Sequence, residues 1–112
     1  MFLIYKSIEY KIIYLFFQVS WIRKESLHII SAGHYTYTAD SRFLAKHQIN
    51  STEWNLKIQK TKKSDEGRYE CQLSTQPVKS FFIDLKVVGN ENRKKCISKI
   101  VFSYSDIRHV CV

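Results

Sequence analysis

The stretch Asp65-Glu66-Gly67-Arg68-Tyr69-Glu70-Cys71 decides the fold of this 112-residue chain. It places a tyrosine two positions before a cysteine, directly after a polar turn, and Trp21 lies 50 residues upstream of that cysteine. This spacing is typical of a tyrosine corner, in which the tyrosine hydroxyl group bonds back to the backbone of the preceding turn. We expect Tyr69 to make that bond, because a buried phenol without a partner would cost about 1–3 kcal/mol.

The sequence on either side of this motif alternates short β-type runs with polar turns. Seven strands are predicted between residues 18 and 88, with no helical periodicity between them. The clearest is Glu53–Gln59, whose apolar residues alternate with polar ones. We therefore predict an all-β fold, an immunoglobulin-like (V-set) antiparallel β-sandwich that is incomplete at its N-terminal strands. Its predicted core includes Trp21, Cys71, Tyr69, Trp54 and Leu56.

Two opposite charges occupy positions that suit a structural ion pair. Arg42 opens a predicted strand, and Asp65 lies in the turn before the strand of Cys71. We expect an Arg42–Asp65 ion pair that bridges the bottom of the sandwich, with Arg23 as a third member. The alternative is that all three are ordinary surface charges, which contribute about 0–1 kcal/mol as a pair.

Composition divides the chain into three zones. Residues 1–18 form an apolar flank, residues 19–88 hold the predicted domain without its first strands, and residues 89–112 form a basic and apolar tail. The uncharged run at 12–17 is too short for the apolar core of a signal peptide or for a membrane-spanning helix. Tyr10–Phe17 is a candidate substitute for the missing strand, although it is apolar on both faces.

Several functional classes find no support in the sequence. The net charge of +8 is spread along the chain, which favours solubility over a nucleic-acid site. The three cysteines and four histidines show neither the spacing of a zinc site nor that of a catalytic triad. We predict that the chain is not an enzyme and has no catalytic residues, metal or cofactor. We expect neither a nucleic-acid partner nor a small-molecule substrate. Asn50 opens a glycosylation sequon, Asn50-Ser51-Thr52, which matters only if the chain is exported.

Strand alternation indicates one outward surface. If Trp21 and Cys71 point inward, the opposite side of their sheet combines apolar and aromatic side chains. Such a patch usually marks a protein partner, and tyrosine is favoured there. The alternative is a patch covered by the flanks of the chain itself. The candidate contact residues are Ile22, Leu27, Ile29, Tyr35, Tyr37, Gln72 and Ser74.

From Val19 to Val88 the chain resembles the first immunoglobulin domain of the Dpr family, arthropod neuronal cell-surface proteins named for defective proboscis extension response. The motifs in order are Val19-Ser20-Trp21-Ile22-Arg23-Lys24, Leu27-His28-Ile29-Ile30, Tyr35-Thr36-Tyr37-Thr38, Arg42-Phe43, Trp54-x-Leu56-x-Ile58, Gly67-x-Tyr69-Glu70-Cys71-Gln72-x-Ser74-Thr75 and Leu85-x-Val87-Val88. The resemblance implies an extracellular or cell-surface domain. Its implied partners are Dpr-interacting proteins (DIPs), immunoglobulin-superfamily receptors, bound through the GFCC′C″ sheet face in neuronal wiring and synapse specificity. It also implies the contact role for the seven outward residues.

The chain departs from this family at both ends. No cysteine precedes Cys71, so the family's bridge between the sheets cannot form, and losing such a bridge costs about 2–5 kcal/mol. Whether Cys71 pairs with Cys96 or Cys111 depends on geometry and stays open. Residues 1–18 and 89–112 match nothing in the family, and we interpret them as translated sequence flanking one coding segment. The alternatives to a recognition domain are thus a partial gene-model fragment and a generic structural β-sandwich without independent activity.

Overall fold

The computed structural model describes residues 18–47, 51–87, 98–103 and 106–111. These residues form nine strands and one short 3-10 helix, Lys63–Asp65. The strands are β1 Val19–Arg23, β2 His28–Ala32, β3 Tyr35–Thr36, β4 Phe43–His47, β5 Trp54–Ile58, β6 Gly67–Leu73, β7 Lys79–Leu85, β8 Ser98–Ser103 and β9 Asp106–Cys111. Within this part of the chain no helix has the length and apolarity required to cross a membrane.

The strands form two antiparallel sheets. One has the order β3-β2-β1-β6-β7 and the other the order β4-β5-β8-β9. The first order is that of the C″-C′-C-F-G sheet of a variable-type domain, and the second sheet takes the D-E-B-A places. The prediction of a variable-type antiparallel sandwich is therefore confirmed.

The second sheet contains the main departure from the sequence prediction. Residues 89–112 were expected to lie outside the domain, but two strands from this tail, β8 and β9, complete the sheet beside β5. In a variable-type domain the strands in these places precede the first strand of the other sheet, whereas here they follow the last one. The physical reason is edge pairing, because β5 would otherwise expose unpaired backbone groups and an apolar row.

The pattern of β8 fits that place. Ile100 and Phe102 point inward opposite Leu56 and Trp54 of β5, and all four side chains are buried. In the sequence this strand is hard to recognise, because its alternation is short and the outward Val101 is apolar like its inward neighbours. Tyr10–Phe17, the earlier candidate for this strand position, lies outside the described residues.

The core lies between the two sheets and is built around the predicted pair. Trp21 of β1 and Cys71 of β6 are direct cross-strand partners in the first sheet, and both are buried. Tyr69, Trp54 and Leu56 belong to the same buried cluster. The hydroxyl group of Tyr69 donates a hydrogen bond of 2.6 Å to the carbonyl oxygen of Asp65, which is the tyrosine corner.

Below the core, Arg42 and Asp65 form a two-pronged ion pair with N–O distances of 2.8 and 2.9 Å. The Asp65 carboxylate also accepts a 2.7 Å bond from the backbone N–H of Lys62. Burial raises the pKa of Asp65, but the hydrogen bonds from Arg42 and Lys62 outweigh it, so the pKa lies below its ordinary value. Asp40 is a second carboxylate partner of Arg42, at 2.9 Å, and was not predicted.

Arg23 lies near this pair without bonding to the Asp65 carboxylate. Its guanidinium group donates instead to the backbone carbonyl oxygens of Ser64 and Glu66. It therefore braces the 3-10 turn that presents Asp65, and its positive charge helps to lower the pKa of that carboxyl group. The expected three-member cluster is thus an ion pair with a neighbouring cation.

Candidate binding face

The outward side of the five-stranded sheet is organised in rows across the strands. Ile29 of β2 lies opposite Ile22 of β1, which lies opposite Glu70 of β6, which lies opposite Phe82 of β7. The register between β1 and β2 shifts between Trp21 and Ile22, which makes Ile30 an extra residue in β2, and both Ile30 and Ser31 are buried. One continuous row therefore contains two branched apolar side chains, an acid and an aromatic ring.

Large apolar side chains are concentrated at the end of this face formed by β2 and β3. The exposed fractions are 71% for Leu27, 50% for Ile29, 74% for Tyr35 and 64% for Tyr37. Ile22 is half-buried between Ile29 and Glu70. Exposure of this much apolar surface in adjacent positions is unusual unless another molecule covers it.

Leu27 is presented by a strained turn. Its φ of 51° lies in the left-handed region, which a branched residue rarely adopts. The residue closes the turn from β1 to β2, with its N–H bonded to the carbonyl oxygen of Lys24 at 3.3 Å. Such strain concentrates at functional sites, and here the strained residue carries an apolar side chain that is 71% exposed.

Glu70 forms the polar centre of the face. Only 4% of this residue is exposed, and its carboxylate accepts bonds from Ser80 at 2.8 Å and Gln72 at 3.3 Å. Lys24 lies 3.4 Å from the other carboxylate oxygen. A buried charge is tolerated only when it is paired and hydrogen-bonded, so this network fixes the side chains of Lys24 and Gln72 on the face.

Phe82 also belongs to this face, although the sequence pattern does not show that its ring points outward. Its ring is 44% exposed and has two cations near it, Lys24 Nζ at 5.7 Å and the Arg68 guanidinium carbon at 5.8 Å. Phe81 and Phe82 are consecutive and of the same residue type, so the apolar pattern of the sequence cannot show which of the two rings points outward. The cross-strand register decides it, since Phe81 lies opposite the inward Cys71.

Comparison with solved structures identifies the domain. The chain is 43% identical to Dpr1 IG1, solved bound to DIP-eta IG1, with a TM-score of 0.63 over 66% of this chain and 70% of that one. It is 41% identical to Dpr11 IG1, solved bound to DIP-gamma, with a TM-score of 0.61 over 65% of this chain and 76% of that one. The chain belongs to the Dpr family.

A two-domain member extends the match. Dpr2 Ig1-Ig2, solved in complex with DIP-Theta, is 30% identical with a TM-score of 0.64, over 81% of this chain and 49% of that one. No family model matches the chain. A search of curated proteins also finds no match.

The remaining candidate residues of this Dpr domain lie in or just after β6, except Asn50. Gln72 is half-buried and bonded to Glu70. Ser74 is exposed just after β6, and its hydroxyl oxygen accepts a 2.8 Å bond from the backbone N–H of Gln18. Asn50 lies outside the described residues, so the glycosylation site stays a sequence prediction.

Cys71 has a different role in this Dpr domain from the bridging cysteine of an immunoglobulin-type sandwich. Its thiol group is fully buried and free. Burial raises the pKa of the Cys71 thiol far above its ordinary value, and the negative charge of Glu70 adds to the effect. Because the thiolate is the nucleophile, the structure makes Cys71 an inert core residue.

This burial predicts the reactivity of Cys71. In a variant carrying Cys96→Ser and Cys111→Ser, the remaining thiol should react with a disulfide reagent at least about 100-fold more slowly in buffer than in denaturing urea. Thiol labelling measured by mass spectrometry tests this. Equal rates in buffer and urea would show that Cys71 is accessible in the native domain.

Proposed function

We propose that this domain is a cell-surface recognition module that binds an immunoglobulin domain of the DIP type through the outward side of its five-stranded sheet. The observation that carries the proposal is the adjacent exposure of Leu27, Ile29, Tyr35 and Tyr37 on one face. We name this surface, together with Ile22, Gln72, Ser74 and Phe82, the partner face.

The family relatives support the nature of the partner. Dpr1, Dpr11 and Dpr2 were solved with DIP-eta, DIP-gamma and DIP-Theta respectively. This chain shares 41–43% of its residues with the first two over the domain. Its partner face has the composition that protein interfaces favour, since it combines branched and aromatic side chains with hydrogen-bonded polar groups.

The partner face also has the physical properties of a preorganised interface. Tyr35 and Tyr37 provide large contact areas at low entropic cost, because each tyrosine has only two side-chain torsions to fix. Glu70 is already satisfied by Ser80, Gln72 and Lys24, so an arriving partner does not have to neutralise an unpaired carboxylate. Binding energy can therefore come from burial of the exposed side chains of Leu27, Ile29, Tyr35 and Tyr37.

In this proposal the domain works by contact and not by catalysis, and its place is outside the cell or at the cell surface. Its contribution to neuronal wiring and synapse specificity would arise from which DIP it selects. That choice rests on a few outward side chains, since one unfavourable contact is enough to exclude a wrong partner.

Ile29→Asp is the sharpest test of the partner face. Ile29 lies among the exposed apolar side chains beside Ile22 and is itself half exposed, so the aspartate should be tolerated in the free domain. Desolvating the new charge should weaken binding to a DIP domain by about 30-fold or more. Surface plasmon resonance against immobilised DIP-eta, DIP-gamma and DIP-Theta IG1 domains measures this.

Val110→Asp provides the matched control. Val110 is 36% exposed on β9 of the opposite sheet, so it receives the same charge at a site away from the partner face. This variant should bind as the parent does. If a DIP domain binds the parent, and Ile29→Asp leaves its affinity unchanged, the partner face is assigned wrongly. If no DIP domain binds the parent, the choice of partner is wrong.

A further inference from the structure

The outer side of the four-stranded sheet presents one cation on each of its strands. Lys57 of β5 lies directly opposite Lys99 of β8. In the neighbouring row, Lys46 of β4 lies at one end and Arg108 of β9 at the other, across Asn55 and Val101. Because paired strands lie about 4.8 Å apart, these cations extend across about 14 Å of the sheet. We name Lys46, Lys57, Lys99 and Arg108 the cationic band.

Most of this charge has no internal counter-charge. In the described part of the chain, the ammonium groups of Lys46, Lys57 and Lys99 form no ion pair and no hydrogen bond. Arg108 does pair, with Asp106 at 3.3 Å and Glu53 at 3.6 Å. Like charges placed directly opposite on adjacent strands destabilise a sheet, as in the Lys57–Lys99 pair. This repulsion is relieved when an external anion lies between the two groups.

We propose that the cationic band binds a sulfated polysaccharide chain that lies across the strands. A linear polyanion with regularly spaced sulfate groups can reach the cations of successive strands one after another, which a single small anion cannot do. The band and the partner face are on opposite sheets of the sandwich, so both can be occupied at once. The site is therefore independent of the proposed DIP contact.

The composition of this side favours a polysaccharide over the other common polyanions. Membrane binding usually adds apolar side chains that insert among lipids. On this side the central Val101 is buried, Leu44 is half-exposed and Val110 is 36% exposed, so the described residues offer no continuous group of exposed apolar side chains for insertion. Single-stranded nucleic acid requires aromatic platforms for its bases, but Trp54 and Phe102 of the central strands point into the core.

Heparin and a chemically desulfated heparin are the probes for this site. The full chain should bind immobilised heparin at 0.15 M NaCl, and desulfated heparin much more weakly. The triple variant Lys46→Ala, Lys57→Ala, Lys99→Ala should bind heparin at least about tenfold more weakly. Its slope of log Kd against log salt should be smaller by about 2 to 3, because fewer counterions are released.

Two matched variants separate the effect of where the charge lies from the effect of net charge. Lys62→Ala, Lys79→Ala, Lys86→Ala removes three exposed lysines elsewhere, and so has the same net charge as the first variant. It should keep heparin affinity within about twofold. Replacing Lys46, Lys57 and Lys99 by arginine keeps the charge and should preserve binding. Thermal unfolding should show all three variants folded, because the substitutions affect outward side chains.

Several outcomes would overturn the proposal. One is that the parent chain fails to bind heparin at 0.15 M NaCl. Another is an equal loss in the two alanine variants, which would assign the binding to net charge alone. Equal binding to heparin and desulfated heparin would exclude recognition of sulfate. Tighter binding to vesicles of phosphatidylserine and phosphatidylcholine than to heparin, lost in the band variant, would assign the band to a membrane surface.

Discussion

Phe102→Ala should destabilise this domain by about 3–5 kcal/mol, a large share of the total stability of a domain of this size. Phe102 is fully buried in β8 and lies opposite Trp54 in register. Its ring also packs against Phe81 of the other sheet, with ring centroids 5.0 Å apart. The substitution would therefore leave a cavity between the two sheets, and the free energy of unfolding measured in urea would fall.

Val110→Ala is the control for this prediction. It removes a side chain from the adjacent strand of the same tail, but from the exposed side. We expect a change of about 0.5 kcal/mol or less. If Phe102→Ala unfolds at the same urea concentration as the parent, the tail does not contribute to the core. Such a result would return the domain to the boundaries predicted from the sequence, residues 19–88.

Asp65→Ala should cost about 3 kcal/mol, because it removes one member of a buried pair and leaves polar groups unsatisfied. The Asp65 side chain is 2% exposed and accepts bonds from Arg42 and from the N–H of Lys62. Arg42 keeps Asp40 as a partner, which places the expected loss at the lower end of the range for buried pairs. Urea unfolding measures the difference.

Asp84→Ala is the matched control, since it removes an aspartate from a second Arg–Asp pair. In the Arg68–Asp84 pair both side chains are more than half exposed, so the expected cost is about 0–1 kcal/mol. Equal losses in the two variants would mean that burial of the Arg42–Asp65 pair does not determine its contribution.

The same carboxyl group gives the stability an acid dependence. The pKa of Asp65 is lower in the folded domain than its ordinary value of 3.8, because of the bonds from Arg42 and Lys62. Its stabilising contribution is therefore complete above the unfolded pKa and is lost as the pH falls through the folded value. In urea titrations below about pH 5, Asp65→Asn should show a weaker loss of stability with acid than the parent. A slope as steep as that of the parent would assign the acid sensitivity to other carboxyl groups.

The sequence predicted the variable-type sandwich correctly because its strongest signals are local. The Tyr69 and Cys71 spacing, the alternation around Trp54 and the polar turns each depend on a few neighbouring residues. The Arg42–Asp65 pair could also be expected from position, whereas the additional partner Asp40 could not. The outward residues followed from alternation, but Phe82 did not, because a Phe-Phe pair has no readable period.

What the sequence determined by itself was therefore the identity of strands β1 to β7, the inward positions of Trp21 and Cys71, and the family. Only the tertiary structure decided which segment fills the place beside β5. The pattern of a strand predicts which of its side chains are buried, but it does not predict which distant strand packs beside it. Pairing with β5 is chosen by the free energy of covering its edge and its apolar row, and the tail strands β8 and β9 supply that cover.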